Sequence, residues 1–275
     1  MKKIAHEAPL SIAPLVRELT DYDYALVHLF LKPEGEKYFK FFKDSLGMGR
    51  EVILDNSAYE LGDSFDPDIY CEWISKLRPT YYIVPDCPGN CEETIRRAEK
   101  WFSRPGLFER DMTFGLKTIG VVQGSTYEEI VKCYNFWKDA GVDKIAFTFY
   151  YPFYDDNKLD ESNKYLSLMR NRQQLITRLL CDKVIDTTKK HHLLGCWLPQ
   201  EFKFYKKKGM YDWIDSIDTS NPVLHGIEGE LYEDEGLFHK SSVKMESLMF
   251  KPAKDFIPNY DIIEGNIIKF KEFVR

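Results

Sequence analysis

Four polar side chains each follow a short run of apolar residues. Three of them are carboxylates and one is an amide. They are Asp55 after Val52-Ile53-Leu54, Asp86 after Ile83-Val84-Pro85, Gln123 after Val121-Val122, and Asp218 after Ile217. Two carboxylates on either side of a sugar carbon permit retaining glycosyl transfer, because one attacks the anomeric carbon while the other handles a proton. A third carboxylate and an amide can recognise a heterocycle, since Asp accepts from N–H groups and Gln donates to a carbonyl. The set predicts chemistry at the glycosidic bond of a guanine-like base.

Each of the three carboxylates also has a local structural interpretation. Asp55 can cap the next helix, Asp86 can belong to the turn at Pro88-Gly89, and Asp218 can begin an Asx-turn. Their joint occurrence at the ends of apolar runs favours a shared site. Burial of several carboxylates together raises a pKa, as acid–base catalysis requires.

The elements that would position these residues alternate between strands and helices. Candidate strands cover 4–9, 24–31, 51–55, 80–86, 118–123, 144–149, 191–195 and 213–218, and the clearest candidate helices cover 67–77, 91–102, 126–140, 161–180 and 199–208. The segments Asn90-Cys91-Glu92-Glu93 and Ser125-Thr126-Tyr127-Glu128 are predicted N-caps with an acidic first turn or a capping box.

Alternation of this kind indicates a parallel sheet, and at 275 residues we predict a TIM (β/α)8 barrel forming one domain over residues 1–275. A doubly wound open sheet is the alternative. Pro9 and Pro14 limit the first strand, and we expect the connection between the first two strands to be too short for a regular helix. Because barrel strands present their carboxyl ends at one mouth, the four polar residues are expected to converge there.

Composition restricts the class of protein. Hydrophobic residues make up 44% of the chain, without a run long enough to cross a bilayer. The amino terminus lacks a secretory signal and the six cysteines lack a disulfide framework, so we expect a cytoplasmic protein without membrane association. A net charge of -6 argues against a protein that coats nucleic acid. Cys87 and Cys91 lack a second ligand pair at zinc-finger spacing, so neither a metal nor another cofactor is predicted.

The order of the motifs resembles the guanine transglycosylase superfamily, whose members exchange guanine for a 7-deazaguanine. The resemblance runs from Glu51 to Pro222. Asp55-Asn56-Ser57-Ala58-Tyr59 is similar to the family motif Asp-Ser-Gly-Gly-Phe, Asp86-Cys87 to Asp-Glu-Cys, and Gln123-Gly124 to Gln-Gly. Leu193-Leu194-Gly195 followed by Pro199-Gln200-Glu201 is similar to Leu-Met-Gly followed by Pro-Glu-Asp. Ile217-Asp218-Thr219-Ser220-Asn221-Pro222 is similar to Phe-Asp-Cys-Val-Leu-Pro.

The resemblance implies a pentosyltransferase in which Asp218 is the nucleophile and Asp55 the general acid–base. It implies a base-binding set consisting of Asp86, Gln123, Gly124, Ser57, Cys87 and Gly195. The partners it implies are a nucleic acid and a free 7-deazaguanine base.

The departures from the family favour one substrate. Bacterial tRNA enzymes of the family carry a Cys-x-Cys-x-x-Cys…His zinc site near the carboxyl end, whereas no cysteine follows Cys196 here. The family's Gly-Gly after the sixth strand is replaced here by 147–151, so we expect a base pocket that differs in shape from that of the family. A short, zinc-free chain with Leu54-Asp55-Asn56-Ser57 most resembles the phage-type enzymes that place 7-deazaguanines in DNA. DNA is therefore the favoured substrate and tRNA the alternative; a phage-encoded chain would act in the host cytoplasm.

Several surface residues are candidates for contact with nucleic acid. His225, Lys240, Lys244 and Lys251 follow the last strand and are predicted to contact phosphate. Tyr150, Tyr151, Phe153 and Tyr154 could stack on a base or simply pack on the barrel. Lys206-Lys207-Lys208 is interpreted as a solvated helix end, and His191-His192, at the start of a strand, as structural.

Two further functions stay open at this stage. A catalytically silent barrel could serve as a binding subunit, although such a subunit would be expected to lose its nucleophile. A glycosidase could use the same carboxylates but would not need Asp86 and Gln123 as a pair. The incoming base, the sequence context and the oligomeric state, a homodimer included, are not determined by the sequence.

Overall fold

The computed structural model describes residues 1–151, 163–207, 209–256 and 258–275. They fall into two compact units. Unit 1 comprises 1–22, 149–178 and 192–275, and unit 2 comprises 23–148 and 179–191, apart from the undescribed positions.

The strands form one eight-stranded sheet in the order β1-β8-β7-β6-β5-β4-β3-β2. Their bounds are β1 Lys3–His6, β2 Asp23–Leu26, β3 Val52–Asp55, β4 Tyr81–Ile83, β5 Lys117–Val122, β6 Lys144–Phe147, β7 Lys190–Leu193 and β8 Ile214–Thr219. All eight predicted strands are present. Pairing of the first strand with the last belongs to a (β/α)8 fold and not to a doubly wound sheet, so the predicted fold class is confirmed.

Helices follow every strand along the chain. Their bounds are α1 Ala13–Leu19, α2 Gly35–Gly47, α3 Ala58–Leu61, α4 Pro67–Leu77, α5 Cys91–Phe102, α6 Leu107–Phe114, α7 Tyr127–Asp139, α8 Lys164–Cys181, α9 Glu201–Tyr205, α10 Asn221–Glu228, α11 Met245–Leu248 and α12 Tyr260–Val274, with 3₁₀ turns at Val27–Leu31 and Ala253–Asp255. Both predicted N-cap segments are confirmed as helix starts. Asn90 accepts the N–H of Glu93, and in the segment 125–128 the capping residue is Thr126, which accepts the N–H of Glu129.

Unit 2 contains the parallel strands β2 to β6. Ile53 lies opposite Tyr81 and Ile119 opposite Lys144, so the carboxyl ends of these strands share one edge. α7 packs closely on β5. A Cβ at Gly120 would lie 2.2 Å from the Trp137 ring, and this approach requires glycine.

Unit 1 pairs β1 with β8 in parallel, with Ala5 opposite Asp218. The expectation of a helix-free connection after β1 is wrong, because α1 forms there. Pro14 occupies its first turn, where a missing N–H has no cost. Ile12 and Val16 stabilise α1 by packing into a buried apolar cluster with Val223, Ile263 and Ile267.

Among the described residues, no helix combines the length and apolarity needed to cross a bilayer. The expectation of a single domain stays a prediction.

Candidate active site

The Asp218 carboxylate lies near the end of β8 in unit 1 and is almost buried. The Gly195 N–H is 3.1 Å from both Asp218 carboxylate oxygens, and the Nε2 atom of His192 is 3.1 Å from Oδ1. These contacts fix the orientation of the carboxylate. A carboxylate held in this way can act as a nucleophile without first reorganising.

His192 is a site residue that the sequence analysis assigned only a structural role. Its Nδ1 lies 3.0 Å from the Ser216 hydroxyl, while its Nε2 faces Asp218. The ring therefore joins β7 to β8 directly beneath the candidate nucleophile. His191 does fit a structural role, since its ring stacks on Tyr134 and Phe147 within unit 2.

A fully buried ion pair supports the loop that carries Gly195. The Arg172 guanidinium donates to both Glu201 carboxylate oxygens, at 2.7 and 2.5 Å, and to the Leu194 carbonyl at 2.6 Å. Because Leu194 precedes Gly195, the pair holds the N–H that points at Asp218. The sequence did not predict this pair, since the two side chains come from elements 29 positions apart.

Gly195, a predicted base-binding residue, has φ 61°, in the left-handed region where glycine carries little strain. A Cβ at this position would also lie 3.3 Å from the Phe149 ring. The backbone conformation therefore favours glycine at this position, and the N–H of Gly195 contacts the Asp218 carboxylate.

Asp55 ends β3 in unit 2 and is only partly exposed. The Tyr24 hydroxyl and the Ser57 N–H donate to opposite oxygens of its carboxylate. Burial, and then the negative charge of Glu60, raise the pKa of Asp55 well above its ordinary value, although the bonds from Tyr24 and Ser57 act in the opposite direction. A carboxyl group with a raised pKa is suited to hold and release a proton.

Ser57, another predicted base-binding residue, is buried and adopts φ 59°. This left-handed conformation is uncommon for a residue with a side chain. It aims the Ser57 N–H at Asp55, and the Ser57 hydroxyl accepts the N–H of His28 at 3.3 Å. The backbone conformation of Ser57 is one that glycine adopts easily.

Asp86 and Gln123, the predicted base-reading pair, are in direct contact. Gln123 Nε2 donates to Asp86 Oδ2 at 2.7 Å, and Asn56 Nδ2 donates to Asp86 Oδ1 at 2.8 Å. Burial raises the pKa of Asp86, whereas the bonds from Asn56 and Gln123 lower it.

Backbone groups fix the orientation of both amides in this network. The Gln123 Oε1 atom accepts the Gly89 N–H at 2.9 Å. The Asn56 side chain accepts the Ala58 N–H and donates to the Val84 carbonyl. Both amides must therefore present N–H₂ to Asp86, and the carboxylate must act as an acceptor at both oxygens. Gln123 keeps a second N–H, so the pair could offer an acceptor and a donor to a base edge.

The other two predicted base-binding residues have structural explanations of their own. The Cys87 backbone bonds to Thr94 in both directions, and burial raises the pKa of its thiol. Gly124 is buried, and a Cβ there would lie 2.9 Å from the side chain of Glu129 at the start of α7.

The predicted nucleic-acid contacts of unit 1 differ in exposure. Lys244 and Lys251 are exposed, and the Lys240 ammonium lies 4.0 Å from the centre of the Trp197 ring. The His225 ring is fully buried.

The aromatic segment after β6 is only partly described. Tyr150 is exposed and Tyr151 buried, while Phe153 and Tyr154, like Lys208 of the lysine run, lie outside the described residues.

The structure thus places the predicted residues in two clusters, each within its own unit. One contains Asp218 and Gly195 with His192; the other contains Asp55, Asp86 and Gln123 with Asn56. A scan against protein-family models found no match to this chain, and a search of curated proteins found none either.

Proposed function

We propose that the protein is a pentosyltransferase that exchanges guanine in a nucleic acid for a 7-deazaguanine. The observation that carries the proposal is the Asp86–Gln123 pair, whose amide is locked so that it presents N–H to a buried carboxylate. Such a pair offers acceptor and donor groups side by side, as recognition of the N–H and carbonyl groups on a guanine edge requires.

Asp218 is the proposed nucleophile. Its carboxylate oxygen attacks C1′ of the target nucleotide, the C1′–N9 bond breaks, and the departing guanine takes the bonding electron pair together with a proton. A glycosyl ester on Asp218 results. The incoming 7-deazaguanine then loses its N9 proton and attacks C1′, which breaks the ester and regenerates the carboxylate. The Gly195 N–H and His192 keep the attacking group oriented.

Asp55 is the proposed proton-transfer residue. Its raised pKa allows the carboxyl group to give a proton to the departing guanine and to take one from the incoming base. The requirement that Asp55 and Asp218 serve the same nucleotide is part of the proposal.

DNA is the favoured polymer, and tRNA is the alternative. No cysteine follows Cys196 in this sequence, whereas the tRNA enzymes that it resembles have a cluster of cysteines after the corresponding region. Lys244 and Lys251 are exposed candidates for phosphate contact. A glycosidase would have no use for the Asp86–Gln123 pair.

Parallel exchange assays test the proposal. Guanine-labelled DNA and tRNA are incubated with the protein and a 7-deazaguanine, and the release of label is measured. We expect release from DNA by the wild type and by Asp215→Asn, a control on β8, and loss of release in both Asp218→Asn and Asp55→Asn. Release only from tRNA would show that tRNA, the alternative, is the substrate. No release from either polymer would overturn the proposal.

A further inference from the structure

Three side chains that follow β8 meet within unit 1. They are His225 on α10, Glu230 just beyond the end of that helix, and His239 in the segment after it. One ligand atom from each lies within 4.8 Å of the other two. Glu230 Oε2 is 2.6 Å from His225 Nδ1 and 3.1 Å from His239 Nε2.

The hydrogen bonds of His225 direct its Nδ1 atom at the Glu230 carboxylate. The Nε2 atom of His225 is 3.2 Å from the His239 carbonyl oxygen, so Nε2 must carry the hydrogen of a neutral ring. Nδ1 then presents its lone pair to the Glu230 carboxylate, which is also an acceptor. Two acceptors at 2.6 Å require a cation. It is either a proton shared between them or a metal ion bound by both, and a metal ion would move the two atoms apart to the spacing of about 3.3 Å in a tetrahedral zinc site.

The surroundings match those of a histidine that binds a metal. His225 is fully buried, and donation of its other ring N–H to a backbone carbonyl is the arrangement that orients metal-ligating imidazoles. Glu228 adds a second carboxylate 3.7 Å from Nδ1. The Glu230 and His239 side chains are about half exposed, at 45% and 53%, which leaves the cluster open to entry of an ion from solvent.

We propose that His225, Glu230 and His239 bind a divalent transition metal, with zinc as the best match. Two imidazoles and one carboxylate are ligands that zinc accepts, and a water molecule can complete a tetrahedral site. The ion would connect the segment carrying Glu230 and His239 to α10. The site uses no cysteine. The sequence predicted no metal because the carboxyl-terminal third has no cysteine and only His225 and His239 as histidines beyond β8.

Metal binding to the full-length protein provides the test. Protein stripped with EDTA is titrated with Zn²⁺ in competition with a chromogenic chelator, and Co²⁺ is added separately to record its visible absorption. The variants are Glu230→Gln and His239→Gln, whose exposed side chains can change without disturbing the core. Glu233→Gln, on the same exposed segment, is the matched control.

We expect the wild type and Glu233→Gln to bind one zinc ion per chain and to melt at higher temperature with zinc than without it. Loss of one of three ligands should weaken binding by at least about tenfold in both variants and remove the zinc-dependent rise in Tm. A wild type that binds no zinc, the result expected if a proton occupies the cluster, would overturn the proposal. Equal zinc affinity in the wild type and both variants would also overturn it.

Discussion

Replacement of Asp86 by asparagine probes the network at the ends of β3, β4 and β5. Asparagine has the same shape as aspartate but offers one acceptor and one donor group. Asn56 and Gln123 both present N–H₂ to this position, and neither amide can turn round, because Ala58 and Gly89 fix their carbonyl oxygens. In Asp86→Asn the new side-chain N–H₂ therefore faces the N–H₂ of either Asn56 or Gln123, so one of these two hydrogen bonds is replaced by a contact between two donors.

The size of the effect follows from the contact that is lost. A hydrogen bond to a charged group contributes about 1.5–3 kcal/mol, and a buried donor left without an acceptor adds to the loss. Burial raises the pKa of Asp86, so removal of the charge offsets part of this cost. We expect Asp86→Asn to lower the free energy of unfolding by about 1–3 kcal/mol at neutral pH.

A compensating variant makes the test specific. In Asp86→Asn/Gln123→Glu the new amide N–H₂ can donate to the new carboxylate, which still accepts the Gly89 N–H. Urea unfolding followed by tryptophan fluorescence compares the wild type, the single variant, the double variant and Asp139→Asn, an exposed control expected to stay within about 0.5 kcal/mol of the wild type. We expect the double variant to recover stability relative to Asp86→Asn. A single variant as stable as the wild type, or a double variant no better than the single one, would refute the reasoning.

Three further predictions concern stability, pH and substrate. Arg172→Met leaves the Glu201 carboxylate buried without its partner and should lower the free energy of unfolding by about 3–5 kcal/mol. The control Arg170→Met, at an exposed position, should leave the free energy of unfolding nearly unchanged in the same urea experiment, and a loss below about 1 kcal/mol in Arg172→Met would contradict the prediction. The pKa of Asp55 is raised in the folded state above its ordinary 3.8, so the stability that this group contributes falls as the pH rises above 3.8. Between pH 4 and pH 8 the Tm of the wild type should therefore fall relative to the Tm of Asp55→Asn, and a pH-independent difference between the two would count against the raised pKa. Removal of a base from the stack costs a few kcal/mol, so single-stranded DNA should exchange guanine faster than the matched duplex at low and moderate salt, and equal initial rates would argue against this account of substrate access.

The strands and the best helices could be predicted because their signals are local. Short apolar runs, most of them with β-branched or aromatic residues, indicated all eight strands, and the segments 90–93 and 125–128 indicated two helix starts. Helix α1 was missed because its stability comes from Ile12 and Val16 packing on distant residues, which the short, proline-containing segment does not show.

The candidate site was predictable only in part. Asp86 and Gln123 could be paired because neighbouring strands of a parallel sheet end at the same edge. His192 was missed because the direction of its side chain depends on the register of β7 against β8, and Arg172 and Glu201 pair across distant positions. Recognition of the His225, Glu230 and His239 cluster needed the path of the chain beyond α10. The expectation that Asp55 and Asp218 converge stays a prediction.

The central claim is a glycosyl ester on Asp218, and mass spectrometry of the trapped protein tests it most directly. The protein is incubated with a guanine-containing oligonucleotide in the absence of an incoming base, quenched under denaturing conditions and digested. The proposal predicts an added nucleotide sugar on the peptide containing Asp218 in the wild type and in Asp215→Asn, and no adduct in Asp218→Asn. An adduct on another residue, or guanine exchange by Asp218→Asn at more than about a tenth of the wild-type rate, would contradict the claim.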